Sequence, residues 1–330
     1  MNLARRPLVT VALISFNQVG LISDAVQSVL AQDYSLLEIC ISDDASTDGT
    51  WEVITETVRN YAGPHRVSVW RNDKNLGIGA NLHHTVQRSE GELIFVAAGD
   101  DVSLPERVRV VTEFWLQCRC EPDLIASYLF DMTNDGQVLD VIHVSDLSQY
   151  RSLEEWIAAP PRVIGAGQAW TRRLFDRFDG IPEGVVGEDM VMAFRAISNA
   201  RAVTFPHPMV FYRRGGITNK GRALSVEQVI QGLTSKIVST LVELNTMRLD
   251  ACSQGARQEV VAWLDQKIHK EEFIAAMFKS HSFFSLCKVW WDASDQPFFF
   301  KIRIWAYARI PWLLRPFFWL KRLRHDKTIL

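Results

Sequence analysis

The sequence predicts an α/β protein with a Rossmann-like mixed, mostly parallel sheet, flanking helices and a helical C-terminal extension. Three observations support this prediction. From residue 8 to residue 130, apolar strand-like runs alternate with segments of helical periodicity. The runs at 37–42 and 93–98 are almost wholly apolar, as expected of strands buried on both faces. Long segments of helical periodicity follow residue 220.

The first half of the chain alternates regularly between the two kinds of element. Strands are predicted at 8–16, 36–42, 67–70, 93–98 and 124–130, and helices at 21–31, 51–61, 79–89 and 107–116. This order is typical of parallel strands joined by right-handed helical crossovers.

The pattern changes after residue 130. Asn134-Asp135-Gly136 lies between apolar runs and predicts a hairpin turn. Further elements are predicted in this order: a helix at 153–158, an extended stretch at 163–170, a helix at 187–198, an extended stretch at 202–213, and helices at 224–249 and 258–279.

These changes divide the chain into three expected regions. The first is an α/β domain at 1–220, with an expected nucleotide-binding half at 7–130 and an expected acceptor half at 131–220. A helical extension at 221–296 and a basic aromatic segment at 297–330 follow.

Composition excludes some classes of protein. The 330 residues suffice for one large domain or two smaller ones, and a formal net charge of −2 argues against a dedicated nucleic-acid binder. The five cysteines form no CxxC pair, which indicates reduced thiols in the cytosol. Residues 1–7 contain two arginines but no apolar run, so no signal peptide is expected.

Two aspartate pairs, Asp43-Asp44 and Asp100-Asp101, come where predicted strands end. The carboxyl ends of strands in an open α/β sheet form the ligand crevice, so the pairs suggest a cation and the anion that it holds. Asp after a strand is also a common turn former or helix cap, and the run from Asp43 to Gly49 contains an obvious turn. Two pairs at matching positions weaken that simpler explanation.

An ordered set of motifs then resembles a known family. It consists of 11–17 (VALISFN), 41–50 (ISDDASTDGT), 75–77 (NLG), 91–95 (GELIF), 99–101 (GDD) and 187–189 (GED). The set is similar to that of the inverting nucleotide-sugar glycosyltransferases of family 2, which have the GT-A fold. The resemblance covers roughly residues 7 to 215.

The resemblance implies roles for individual residues. Asp44 would hydrogen-bond the nucleobase, Asp101 with Asp100 beside it would hold Mg²⁺ or Mn²⁺ on the diphosphate, and Asp189 would be the general base. The remaining contacts to the nucleotide would be Ile14, Ser15, Phe16, Asn75, Gly77 and Asp100. The residues near the donor sugar and the acceptor would be Trp170, Gly187, Glu188, Arg213 and Arg214.

The sequence departs from the family pattern at two places. Ala98 stands where a common version has another aspartate, so a metal would depend on Asp100 and Asp101 alone. The segment after the last predicted strand has no histidine, and His207 comes too early for that role. Taken singly, Trp170 is as well explained as a core residue, and Arg213 and Arg214 as a solvated pair.

The segment at 297–330 combines nine aromatic residues with eight lysines or arginines and one acid, Asp326. No charge-free run there approaches the ~20 residues that span a bilayer. The mixture fits a helix, interrupted at Pro311 and Pro316, that lies in a membrane interface. The alternative is a core or oligomer helix whose arginines snorkel.

The predicted function is inverting, metal-dependent transfer of a sugar from a nucleoside diphosphate donor of UDP, dTDP or GDP type. The acceptor would be a glycan or lipid-linked hydroxyl in surface polysaccharide synthesis, such as O-antigen or capsule. We expect a cytoplasmic protein, peripheral on the inner face of the cell membrane, with C-terminal helices as a candidate surface for homo-oligomers.

Three other classes of protein also place acids at strand ends or bind sugars. A nucleotidyltransferase would need a Gly-rich basic loop, which the residues after Phe16 do not provide. A receiver-type signalling domain is disfavoured by the length and by Glu188-Asp189. Intact Asp101 and Asp189 count against an inactive, membrane-bound sugar-binding module.

Overall fold

The computed structural model describes residues 6–213, 226–280 and 282–314. Within them, one sheet of nine strands runs through the first domain, and helices pack on it. The strands are β1 Val9–Ser15, β2 Leu37–Asp43, β3 Arg66–Arg71, β4 Leu93–Ala98, β5 Val102–Ser103, β6 Leu124–Met132, β7 Val138–Ile142, β8 Gln168–Thr171 and β9 Ala202–Arg213.

The helices follow the same chain order. They are α1 Ile22–Leu30, α2 Thr50–Arg59, α3 Ile78–Gln87, α4 Arg107–Gln117, α5 Leu153–Ala158, α6 Arg172–Arg177, α7 Glu188–Ile197, α8 Val226–Ser253, α9 Gln258–Lys279, α10 Phe283–Asp292 and α11 Phe298–Arg309. Short 3₁₀ turns occur at Leu147–Gln149, Gly165–Gly167 and Pro311–Leu314.

Strand order places the two aspartate pairs on either side of β1. The order is β3-β2-β1-β4-β8-β6-β9-β5, and β1 pairs in parallel with both β2 and β4. Ser15 is aligned with Asp43, and Ile14 with Ala98. Strand order therefore reverses at β1, which is where ligands bind in open α/β sheets.

The second half of the sheet is mixed. β6 and β9 are parallel, whereas β8 lies antiparallel between β4 and β6. The predicted hairpin turn joins β6 to β7, and Gly136 adopts a φ of 88° there, which a glycine tolerates without strain. The antiparallel pairings all involve β5, β7 or β8, so the pairings among β1 to β4 are parallel as predicted.

The main core lies on both faces of the sheet. Every residue of β2 is buried, and so are the first five of β4, which explains their apolar sequences. Helix α1 buries Ile22, Ala25, Val26 and Val29 at helical spacing. On the other side of the molecule, Trp156 packs edge-on against Phe194 of α7.

The C-terminal helices form a smaller second core. Phe273 and Met277 of α9 are buried with Ile304 of α11. In the described ranges, no helix is both long enough and apolar enough to cross a membrane.

The predicted α/β fold with a helical C-terminal region is confirmed. Several element boundaries differ from the prediction. Helix α8 continues to Ser253 rather than ending at 249, and the stretch 163–170 contains a 3₁₀ turn. Elements β5, α6 and α10 were not predicted. Helix α11 ends at Arg309, before Pro311, while Pro316 lies outside the described residues. The proposed domain boundaries stay a prediction.

Candidate active site

The two aspartates of the first pair have different partners. Asp43 is fully buried, accepts hydrogen bonds from Ser46 and forms an ion pair with Arg71, so it stabilises the turn after β2. Asp44 is also buried, and its carboxylate accepts hydrogen bonds of 2.9 Å from the backbone N–H groups of Leu76 and Gly77. Asp44 thereby fixes the loop that leads into α3.

This loop contains the other residues of the predicted nucleotide site. Gly77 has a φ of 84°, a conformation that favours glycine, and Asn75 is exposed beside Asp44. Asn72 donates a hydrogen bond to Asp44, and so extends the network towards α3. Ile14, Ser15 and Phe16 lie at the adjacent end of β1, with Ser15 buried and the other two partly exposed. The nucleotide contacts themselves stay predictions.

The second pair lies at the switch point between β1 and β4. Asp101 is 6% exposed, and burial together with the neighbouring Asp100 raises its pKa well above the usual range. Burial also raises the pKa of Asp100, although the Gln18 side chain hydrogen-bonds to it. Two crowded carboxyl groups out of water are a place where a cation would be favourable.

The residues present fit a divalent cation with few protein ligands. The described residues contain no group of three or more His, Cys, Asp or Glu side chains arranged for a metal ion. Hard cations bind carboxylate oxygens and readily complete their coordination with water and phosphate oxygens. Asp100 and Asp101 therefore fit Mg²⁺ or Mn²⁺ only when a diphosphate supplies further ligands.

Two arginines lie close to this acidic pair. Arg213 donates its backbone N–H to Asp101 Oδ1 at 2.9 Å and its guanidinium to Asp24 at 3.0 Å. Its buried Nε has no hydrogen-bond partner among the described residues. The other predicted arginine, Arg214, lies outside the described residues.

Arg107 is the second of these arginines. It is 2% exposed, and burial lowers its pKa to about 10 while the Asp101 charge opposes that change. Its guanidinium donates to the carbonyl oxygens of Val96 in β4 and Ala166 in the 165–167 turn, at 2.9 and 2.6 Å. Arg107 therefore connects β4, the strand before the acidic pair, to the 165–167 turn.

The predicted base lies at the start of α7. Asp189 is partly exposed, and its carboxylate accepts hydrogen bonds from the backbone N–H groups of Met190, at 2.8 Å, and Gly165. Burial raises the pKa of Asp189 to about 6, while those two hydrogen bonds lower it. Burial, followed by the charge of Asp189, raises the pKa of Glu188 to about 8.

These pKa values separate the roles of the two acids. At neutral pH Asp189 is ionised and able to take a proton, whereas Glu188 is protonated. A neutral Glu188 avoids placing two negative charges side by side in a buried site.

The turn Gly165–Gly167 joins the base to the cation site. Gly165 packs directly against the acids, since a Cβ there would lie 2.7 Å from Glu188 Oε1. The next residue, Ala166, accepts the hydrogen bond from Arg107 described above. Arg107, whose charge acts on Asp101, thus also binds the turn that packs against Glu188 and Asp189.

Trp170 is a correction to the predicted set. It is fully buried in β8, and its indole N–H donates to Gln168 Oε1 at 2.7 Å. A side chain without exposed surface offers no face to a sugar, so Trp170 is a core residue beneath the site. The sequence already allowed a core position for Trp170, and β8 lies inside the sheet with a strand paired on each edge.

Sequence reasoning also missed residues that build the site. Gln18, Asn72, Arg107 and Glu243 all contact predicted site residues or their backbone. None belongs to a local motif, because each acts across a long sequence separation. A buried arginine at a helix start has the same sequence signal as an exposed one.

The comparisons with known proteins agree with this architecture. Residues 10–125 match the family model described as Glycosyl transferase family 2. Chondroitin synthase of Escherichia coli is 35% identical over 109 residues, which are 33% of this chain and 15% of that protein. Across the curated relatives that it matches, the chain spans 15% to 58% of their length.

Two solved structures share the fold at low identity. Residues 1–349 of S. aureus TarS, in complex with UDP-GlcNAc, are 17% identical with a TM-score of 0.53, over 81% of each chain. The mannosyltransferase PcManGT from Pyrobaculum calidifontis, in complex with GDP-Man and Mn²⁺, is 16% identical with a TM-score of 0.55, over 94% of this chain and 87% of that one.

The mixed sheet with acids at its switch point defines the class, a GT-A α/β domain. Residues 10–125 match the glycosyl transferase family 2 model, in agreement with the family that the ordered motifs resemble.

Proposed function

We propose that the protein is an inverting, metal-dependent glycosyltransferase that uses a nucleoside diphosphate sugar. The observation that supports this most directly is the pair of acids at the start of α7, whose pKa values of about 6 and 8 assign one base and one neutral partner. The match of residues 10–125 to the family model, and the fold shared with structures that hold UDP-GlcNAc or GDP-Man and Mn²⁺, support the donor class.

In this mechanism Asp189 accepts the proton of the acceptor hydroxyl as its oxygen attacks the anomeric carbon. The bond from that carbon to the phosphate oxygen breaks, and its electron pair leaves on the nucleoside diphosphate. Attack from the face opposite the leaving group inverts the configuration. Asp100 and Asp101 would hold Mg²⁺ or Mn²⁺, which supplies Lewis-acid stabilisation of the leaving diphosphate. Arg213 adds positive charge nearby.

The acceptor in this proposal is a growing surface glycan or a lipid-linked sugar at the inner face of the cell membrane. Large exposed apolar side chains on α10 and α11 support a membrane interface: Phe283, Phe284, Trp291, Phe298, Phe299, Ile302 and Trp305. Lys288 and Arg303 are exposed among them, as an anionic lipid surface would require. Lys301, in contrast, is buried and donates to carbonyl oxygens at the end of α10.

Donor screening tests the proposed activity. Purified full-length protein is supplied with lipid-linked acceptors and a panel of UDP, dTDP and GDP sugars, and nucleoside diphosphate release is measured with and without Mn²⁺ or Mg²⁺. Metal-dependent release with one donor class is expected. Donor binding without release would instead favour an inactive sugar-binding module, and release that is unchanged by a chelator would overturn the metal assignment.

A further inference from the structure

Glu243 of α8 contacts the segment that carries the predicted base. Its Oε1 accepts hydrogen bonds from the backbone N–H groups of Gly187 at 2.8 Å and Val186 at 3.3 Å. These N–H groups directly precede the first turn of α7, where no side chain of the segment itself provides a cap. Backbone N–H groups at the start of a helix lack an acceptor within the helix, and here the acceptor is the Glu243 carboxylate of α8.

Gly187 permits this approach. A Cβ at position 187 would lie 3.3 Å from the Glu243 carboxylate carbon and both of its oxygens, so the carboxylate would have to move back by a few tenths of an ångström. The glycine of the Gly187-Glu188-Asp189 motif therefore makes room for a carboxylate from another helix.

A second contact holds α7 against α8 further along. Arg195 is 1% exposed and forms an ion pair of 2.7 Å with Asp250. Glu243 and Asp250 are seven residues apart on α8, and Gly187 and Arg195 are eight apart on α7. At about 1.5 Å per residue these spacings nearly match, so α8 holds α7 in register at both positions.

We infer that Glu243 is a positioning residue that holds the 186–189 segment, and with it Asp189, in the geometry needed for proton transfer. This inference rests on the proposed function, and it makes the helical extension a part of the active site. Around Asp189, Glu188 lies on α7 beside it and Glu243 faces it from α8. Glu243 also adds negative charge that raises the pKa of Asp189, after the larger effect of burial.

Two substitutions separate the hydrogen bonds from the charge. Glu243→Gln keeps an oxygen acceptor for Gly187 and Val186, so kcat is expected to stay within about 3-fold of wild type, while the acidic limb of the pH profile moves to lower pH. Glu243→Ala removes the acceptor, and kcat is expected to fall about 10-fold or more with little change in donor KM, because the base is misplaced. Glu272→Gln, at an exposed position of α9, is the matched control.

Hydrogen exchange gives a second readout that does not depend on turnover. In Glu243→Ala, amide protection at Val186 and Gly187 is expected to fall, whereas Glu243→Gln and Glu272→Gln retain it. If wild type turns over and Glu243→Ala matches it in kcat and in amide protection, the positioning role is overturned. If wild type does not turn over, the proposed function fails, and amide protection alone decides whether Glu243 holds the segment.

Discussion

The backbone N–H of Arg213 donates a 2.9 Å hydrogen bond to Asp101 Oδ1, which ties the end of β9 to the predicted cation site. Asp101 follows β4, and Arg213 is the last residue of β9. The last strand of the sheet is thus held at the carboxylate that would bind the metal. A change at Asp101 is therefore expected to affect catalysis more than folding, provided that the acceptor atom is kept.

Asp101→Asn tests this expectation. The amide oxygen still accepts from Arg213, but the site loses half of its predicted carboxylate charge, so turnover at fixed Mn²⁺ is expected to fall by roughly 10²-fold or more. Nucleoside diphosphate release measured over a Mn²⁺ titration checks this result. Asp140→Asn, an exposed change in β7, serves as the control. Wild-type turnover in Asp101→Asn would mean that another group holds the metal.

Gly165→Ala tests the packing behind the base. The added methyl group would lie 2.7 Å from Glu188 Oε1, so the Glu188 carboxyl group beside the base must move, while Asp189 Cβ at 3.5 Å would be in ordinary contact with it. We expect kcat to fall by about 10²-fold, as a displacement of about 1 Å produces. Gly20→Ala is the matched control, since nothing lies within 4 Å of a Cβ there. Equal kcat for both variants would show that the segment tolerates movement.

Most of the frame that positions these residues could be predicted from sequence. The apolar runs of β1, β2 and β4 indicated buried parallel strands, and the following aspartates do lie on either side of β1. The predicted helix start at 187–188 is also confirmed. These features depend on local periodicity and on the general rule for strand ends, both of which one sequence provides.

The supporting contacts could not be predicted because they join distant parts of the chain. Arg107 reaches Ala166 across 59 residues, and Glu243 reaches Gly187 across 56. Both are charged residues on helices, where solvent exposure is the ordinary expectation. Trp170 could not be assigned for a different reason, because its sequence context allowed both stacking on a sugar and a position in the core. The complete burial of its side chain decides for the core.

The pH dependence of turnover follows from Asp189. Because its pKa is raised to about 6, it is protonated below that pH and cannot accept a proton. We expect kcat/KM to rise with pH and to reach half of its plateau near pH 6. Asp189→Asn should lower kcat by ~10²–10⁴-fold and abolish this limb. A profile that is flat between pH 5 and pH 7 would assign the base to another group.

As pH rises, the ionisation of Glu188 should lower the free energy of unfolding, whereas the ionisation of an ion-paired acid raises it. The folded Glu188 pKa of about 8 exceeds the ordinary value of 4.5 for a glutamate, so between those pH values the folded state holds a proton that the unfolded state has released. Its contribution to the free energy of unfolding therefore decreases as pH rises through this window.

Glu188→Gln removes this titration. The free energy of unfolding of the variant minus that of wild type is expected to be at least about 1 kcal/mol larger at pH 8.5 than at pH 5. Urea unfolding at the two pH values measures the difference, with the exposed Glu272→Gln variant as control. If the difference in the free energy of unfolding between wild type and variant does not change with pH, the raised pKa belongs to a group other than Glu188.

The exposed aromatic side chains on α11 should govern membrane binding. Phe299 is 83% exposed and Trp305 is 38% exposed, so the double change Phe299→Ser and Trp305→Ser removes apolar surface without emptying the core. Liposome flotation with anionic vesicles is expected to show at least about 10-fold weaker binding, since each large side chain contributes roughly 1.5–3 kcal/mol on burial. Leu249→Ser, at an exposed apolar position of α8, should bind as wild type does. If the double variant floats like wild type while donor turnover persists, the membrane contact does not involve α11.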